Sequence, residues 1–69
     1  MKKFCDKLIV LRREKGLSQE QLAEYLEVSR QSVSKWEADK TMPEISKLIA
    51  ISGLFQVSLD YLLIDDCEN

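Results

Sequence analysis

Arg30, Gln31, Ser34 and Lys35 fall in one short stretch of helical periodicity, and side chains of these types can do one kind of chemistry together. Arg and Lys donate to guanine O6 and N7 or to phosphate, Gln pairs with the adenine edge, and Ser serves either base. At about 100° per residue, a helix near residues 30–38 holds these four and Ala38 within an arc of about 140°. The arc carries no large apolar side chain, whereas Val33, Trp36 and Glu37 take the other side. Taken alone, the polar face fits a base-reading surface and an ordinary solvated helix face equally well.

The inner side of this helix sets two requirements. Trp36 shares its stripe with Val33, so it is expected to pack in a core and not to stack on a ligand. Glu37 is costly there unless neutralised, because a carboxylate withdrawn from water needs a partner. Arg12 is the expected partner, tying the first helix to the third and leaving Arg13 and Lys15 at the surface.

The elements that position these residues follow from periodicity and capping. Phe4, Leu8 and Leu11 mark a first helix near 3–15, with Gly16 suited to a left-handed position just after it. A second helix is expected at 19–26, a third at 30–38, a fourth at 44–53 and a fifth at 59–64. Three starts share one device: Leu17-Ser18 with Leu22, Val28-Ser29 with Val33, and Val57-Ser58 with Leu62. Each is a hydrophobic staple around a serine N-cap, and Gln21 completes a capping box with Ser18. Pro43 suits the beginning of the fourth helix, where its missing N–H costs nothing. Glu27-Val28-Ser29 has the length of the connection in a helix-turn-helix, which crosses its helices steeply and lets the second one protrude. The expected core comprises Leu8, Leu11, Leu22, Ala23, Leu26, Val33, Trp36, Leu48 and Leu62.

Size and composition narrow the choices. The chain has 69 residues, enough for one small domain, and 45% of them are apolar, the proportion of a folded chain. At this size the hydrophobic gain and the ordering cost nearly cancel, which favours a compact helical domain with local contacts, or help from a partner subunit. The net charge is −2, but its distribution is uneven. Residues 1–47 hold all 10 basic side chains, and residues 48–69 hold acids at 60, 65, 66 and 68 with no base. The far acids are attenuated over a Debye length of about 8 Å, so overall charge does not exclude nucleic acid.

Enzyme readings find little support. There is no histidine to activate Ser18, Ser29, Ser58 or Cys5, and the serines are needed as caps. Asp65, Asp66 and Glu68 suit a frayed acidic tail over 65–69 better than a metal site, and Asp60 with Asp65 lacks a cavity to shift its protonation. Cys5 and Cys67 are expected as thiols. No apolar run spans a membrane and no signal core follows Lys2 and Lys3, so a cytoplasmic protein is expected, nucleoid-associated when bound to DNA. No cofactor or metal is expected, and the chain is read as a non-enzyme.

The run Leu11-Arg12, Gly16-Leu17-Ser18-Gln19, Leu22-Ala23, Val28-Ser29, Val33-Ser34, Trp36-Glu37, Pro43 and Val57-Ser58-Leu59-Asp60-Tyr61-Leu62-Leu63 resembles the phage repressor and Cro, or XRE-type, helix-turn-helix family. The resemblance covers residues 4–64. It implies an all-α, five-helix, lambda-repressor-like domain occupying the whole of 1–69, with a helix-turn-helix formed by helices two and three. It further implies a sequence-specific regulator of transcription, usually a repressor, on an inverted-repeat operator of double-stranded DNA as a homodimer. By the same resemblance, Arg30, Gln31, Ser34 and Lys35 meet the major groove, while Gln19, Ser29, Ser32, Lys40 and Thr41 lie along the backbone. Relatives usually have Gly where this chain has Asp39; if that position is left-handed, Asp bears it at modest cost, and its charge weakens nonspecific affinity.

The alternative on the same scaffold is a protein-interaction or antitoxin-type module. Leu54, Phe55, Leu59, Leu63 and Ile64 offer aliphatic material for both a core and a dimer surface. The outer face of the third helix separates the two readings, because only a DNA reader needs Arg30, Gln31 and Lys35.

Overall fold

Three of the helices begin where a serine supplies a missing hydrogen-bond acceptor. Ser18 accepts from the Gln21 N–H at 3.0 Å, Ser29 from the Ser32 N–H at 3.2 Å, and Ser58 from the Tyr61 N–H at 3.0 Å. The Ser18 N–H donates in return to Gln21 Oε1 at 2.8 Å, closing a reciprocal box. The computed structural model describes residues 3–64 and contains five helices: α1 (Phe4–Glu14), α2 (Gln19–Leu26), α3 (Arg30–Glu37), α4 (Ile45–Phe55) and α5 (Leu59–Leu63). The tail expected at 65–69, with Cys67, lies outside the described residues.

The helix ends have their own logic. Gly16 follows α1 with φ of 72°, a left-handed conformation that glycine adopts without a Cβ penalty. Glu27, Asp39 and Gln56 take the same region at 59°, 61° and 57° after α2, α3 and α4. Asp39 sits in a Schellman-type end, with its N–H on the Trp36 carbonyl and the Lys40 N–H on that of Lys35. The fourth helix runs past Gly53 to Phe55, two residues beyond the expected end, and stops where Gln56 turns left-handed. Pro43 is buried and precedes the N-cap residue Glu44.

The hairpin of α2 and α3 packs on α1 and α4, and α5 closes the far side against α1 and α4. Leu8, Leu22, Ala23, Leu26, Val33, Trp36, Leu48 and Leu62 are buried together with Phe4, Ile51 and Phe55. Two expectations need correction. Leu11 is only half-buried and flanks the core, because the inward direction at that level of α1 is taken by Arg12. Phe55 is a core residue, 8% exposed, and not part of an outer surface; the two extra residues of α4 carry it inward.

Candidate nucleic-acid interface

Arg30 opens α3, one residue after the Ser29 cap, and this start fixes the face that α3 presents. Arg30, Gln31 and Lys35 are exposed and Ser34 is half-buried, while Val33 and Trp36 anchor the opposite side in the core. The side chains expected at the DNA backbone are distributed around this face. Ser29 and Ser32 share a hydrogen bond between their hydroxyls at 3.1 Å, so their oxygens are already partly engaged in holding the start of α3. Lys40 and Thr41 are exposed in the segment after α3.

Behind the face lies a polar network. Arg12 Nε donates to Glu37 Oε2 at 2.6 Å and Nη2 to Oε1 at 3.1 Å, with side chains only 11% and 6% exposed. Arg12 Nη1 also donates to the Leu17 carbonyl at 2.8 Å, binding the turn before α2 to the same group. A bidentate guanidinium–carboxylate pair fixes orientation as well as neutralising charge.

Gln19 extends this network to the surface. Its amide nitrogen donates to Glu37 Oε1 at 2.9 Å, and its oxygen accepts from Arg30 Nη1 at 3.4 Å. The exposed Arg30 is thereby connected, through one amide, to a buried ion pair. The family resemblance implies only a DNA-backbone role for Gln19, and this bridge was not anticipated. The available signal was that Gln19 and Arg30 each begin a helix of the hairpin. A carboxamide has two N–H donors, so Gln19 keeps one after serving Glu37.

Two further cations hold helix ends, and neither was singled out from the sequence. Lys47 Nζ donates to the Leu26 carbonyl at the end of α2, at 2.8 Å. Lys7, only 1% exposed, donates to the Tyr61 and Ile64 carbonyls at 2.5 and 2.6 Å, with its Nζ 4.9 Å from the centre of the Tyr61 ring. The departure at Asp39 has a local balance as well: its carboxylate meets Lys3 Nζ at 3.3 Å, both side chains being more than half exposed.

Of the aliphatic residues considered for a dimer surface, Leu63 and Ile64 are exposed, at 44% and 63%, and Leu54 and Leu59 are half-buried against the core. Among the described residues, no group of three His, Cys, Asp or Glu side chains could hold a metal ion. No helix among them is long and apolar enough to cross a membrane.

Five short helices, α2 packed on α3 across a three-residue connection, and an exposed polar first turn on α3 define a class of protein. The chain belongs to the helix-turn-helix family, whose pattern matches residues 8–62, and within it to the phage-repressor, XRE-type regulators. It is 52% identical over 60 residues to the HTH-type transcriptional activator BcrR of Enterococcus faecalis, a match covering 87% of this chain and 29% of that protein. The P22 c2 repressor in complex with synthetic operator 9T superposes with a TM-score of 0.88 at 30% identity, over 96% of this chain and 100% of that one. A transcriptional regulator from Listeria innocua gives 0.86 at 34% identity, over 97% and 63%. The chain spans between 29% and 56% of the length of the curated relatives it matches.

Proposed function

We propose that this chain binds double-stranded DNA sequence-specifically and regulates transcription, reading an inverted-repeat operator as a homodimer. The observation that carries the reading is the exposed Arg30, Gln31 and Lys35 face on a helix whose back is fixed by the Arg12–Glu37 pair. A solvated face has no need of such anchoring. Base discrimination rests on side chains held in register, because a misplaced donor loses its geometry before it loses its charge.

In this reading, Arg30 and Gln31 meet base edges from the first turn of α3, with Ser34 and Lys35 one turn further along. Gln19 offers its remaining N–H to a phosphate while its oxygen steadies Arg30. Ser29, Ser32, Lys40 and Thr41 line the backbone on either side. Two copies place their third helices in successive major grooves, about 34 Å apart. The residues 1–69 act as a single domain and, seated across a promoter, block polymerase, so repression is the direction we assign. Such a protein works in the cytoplasm, at the nucleoid when bound.

Selection of the purified protein against a random duplex library at physiological salt tests the proposal. Enrichment of an inverted repeat supports it and reveals the half-site with its spacing. A folded protein that enriches nothing overturns it and leaves the protein-interaction reading, in which Arg30 and Lys35 are ordinary surface residues.

A further inference from the structure

The carboxylate of Glu37 sets the sense in which the Gln19 amide can sit. It is 6% exposed and is held by Arg12 through both oxygens, at 2.6 and 3.1 Å. A carboxylate accepts hydrogen bonds and donates none, so the end of the Gln19 carboxamide that meets it, at 2.9 Å, has to be the NH2 group. The reversed amide would put oxygen against oxygen at a half-buried position, where an unmade hydrogen bond is costly. A glutamine in water offers donor or acceptor with equal ease; Gln19 has its polarity fixed by a buried charge.

That polarity reaches the first residue of α3. The amide oxygen is left for Arg30, whose Nη1 lies 3.4 Å away. Arg and Lys donate without accepting, so an oxygen at this place suits a cation at position 30. A guanidinium carries five N–H groups in a rigid fork, and giving one to Gln19 leaves four. Two of these match guanine O6 and N7, a pair of acceptors that no other base presents in the major groove. The contact is long and Arg30 is exposed, so Gln19 restricts the directions open to the guanidinium and does not withdraw it from solvent.

We propose that Gln19 is the positioning residue that commits Arg30 to a guanine, its amide held in the required sense by Glu37. This rests on the DNA-reading proposal above. It adds to that reading the identity of one base and a buried carboxylate that acts on recognition without touching DNA.

The test measures base preference pair by pair, in competition between the selected half-site and its single-base variants. Arg30→Ala marks the pair that Arg30 reads, which is expected to hold guanine, preferred by about tenfold or more in the unaltered chain. Gln19→Met removes both links and leaves the Arg12–Glu37 pair in place. It is expected to lower the preference at the marked pair to about threefold or less, while preference at the other pairs stays within about twofold. Glu37→Gln lets position 37 turn an N–H toward Gln19, which then presents its own NH2 to Arg30, and the same selective loss is expected. Adding Gln19→Glu exchanges donor and acceptor between the two positions and returns an oxygen to Arg30. The double variant is expected to recover most of the guanine preference, although the new carboxylate weakens binding to every sequence. If Glu37→Gln does not fold, Gln19→Met is read by the same ratio. An unchanged preference at the marked pair in Gln19→Met overturns the proposal, as does a base other than guanine there. Equal loss at every pair overturns it too, marking a merely structural amide, and a double variant that recovers nothing removes Glu37 from the relay. If Arg30→Ala alters no single pair, the base-reading role of Arg30 fails instead, and this proposal with it.

Discussion

Arg12 grips both carboxylate oxygens of Glu37, at 2.6 and 3.1 Å, across the junction of α1 and α3. Removing one partner strands the other in a site too closed for water to compensate. Glu37→Ala leaves Arg12 and the Gln19 amide without their acceptor, and a stability loss of about 3–5 kcal/mol is expected in urea unfolding. Arg12→Ala is expected to cost a comparable amount, and the double variant less than the sum, because each change destroys the same interaction.

Gln31→Ala changes an exposed side chain on α3 and leaves the core intact. The fold is expected to persist by circular dichroism. Binding to single-base variants of the selected half-site should show a loss of about 1–3 kcal/mol of discrimination at one base pair. Equal weakening on every sequence would refute a base-reading role.

Lys40→Ala is expected to behave in the opposite way. Loss of a phosphate contact weakens binding to all sequences alike and lowers the slope of log affinity against log salt by about one. Titration at three or four salt concentrations measures it.

Gln56→Gly tests the left-handed ends. Gln56 is exposed and has φ of 57°, a conformation that crowds any Cβ. Relief of that crowding is expected to stabilise the domain by up to about 1 kcal/mol, raising the melting temperature by about 4–8 °C per kcal/mol in a domain of this size.

The helix starts were readable because the serine and its two staple residues form a local code, and the three caps need no tertiary information. The inner face of α3 was equally open, since the cost of Glu37 calls for a cation and Arg12 lies in the last turn of the neighbouring helix. The positions that escaped depend on directions in space. Periodicity distinguishes Leu11 from Arg12 by only one residue, and the packing angle of α1 decided which turned inward. The sequence leaves Phe55 open between a core and a dimer surface; α4 runs two residues past Gly53, and Phe55 is buried at its last position. Lys7 lies three residues after Phe4 and four before Leu11, on the apolar stripe itself. That placement was a visible signal, but the two acceptors at Tyr61 and Ile64 are carbonyls more than fifty residues away, and backbone acceptors leave no mark in a sequence.

The burial of Lys7 also makes its amine a reporter. An acylating reagent reaches Lys35 and Lys40 at once, but it reaches Lys7 only when α5 detaches from α1. Its labelling rate therefore measures how often this end of the molecule opens, separately from the unfolding of the whole. Slower labelling on duplex DNA than in the free protein would show, in time and not in affinity, that binding at α3 holds α5 closed on α1.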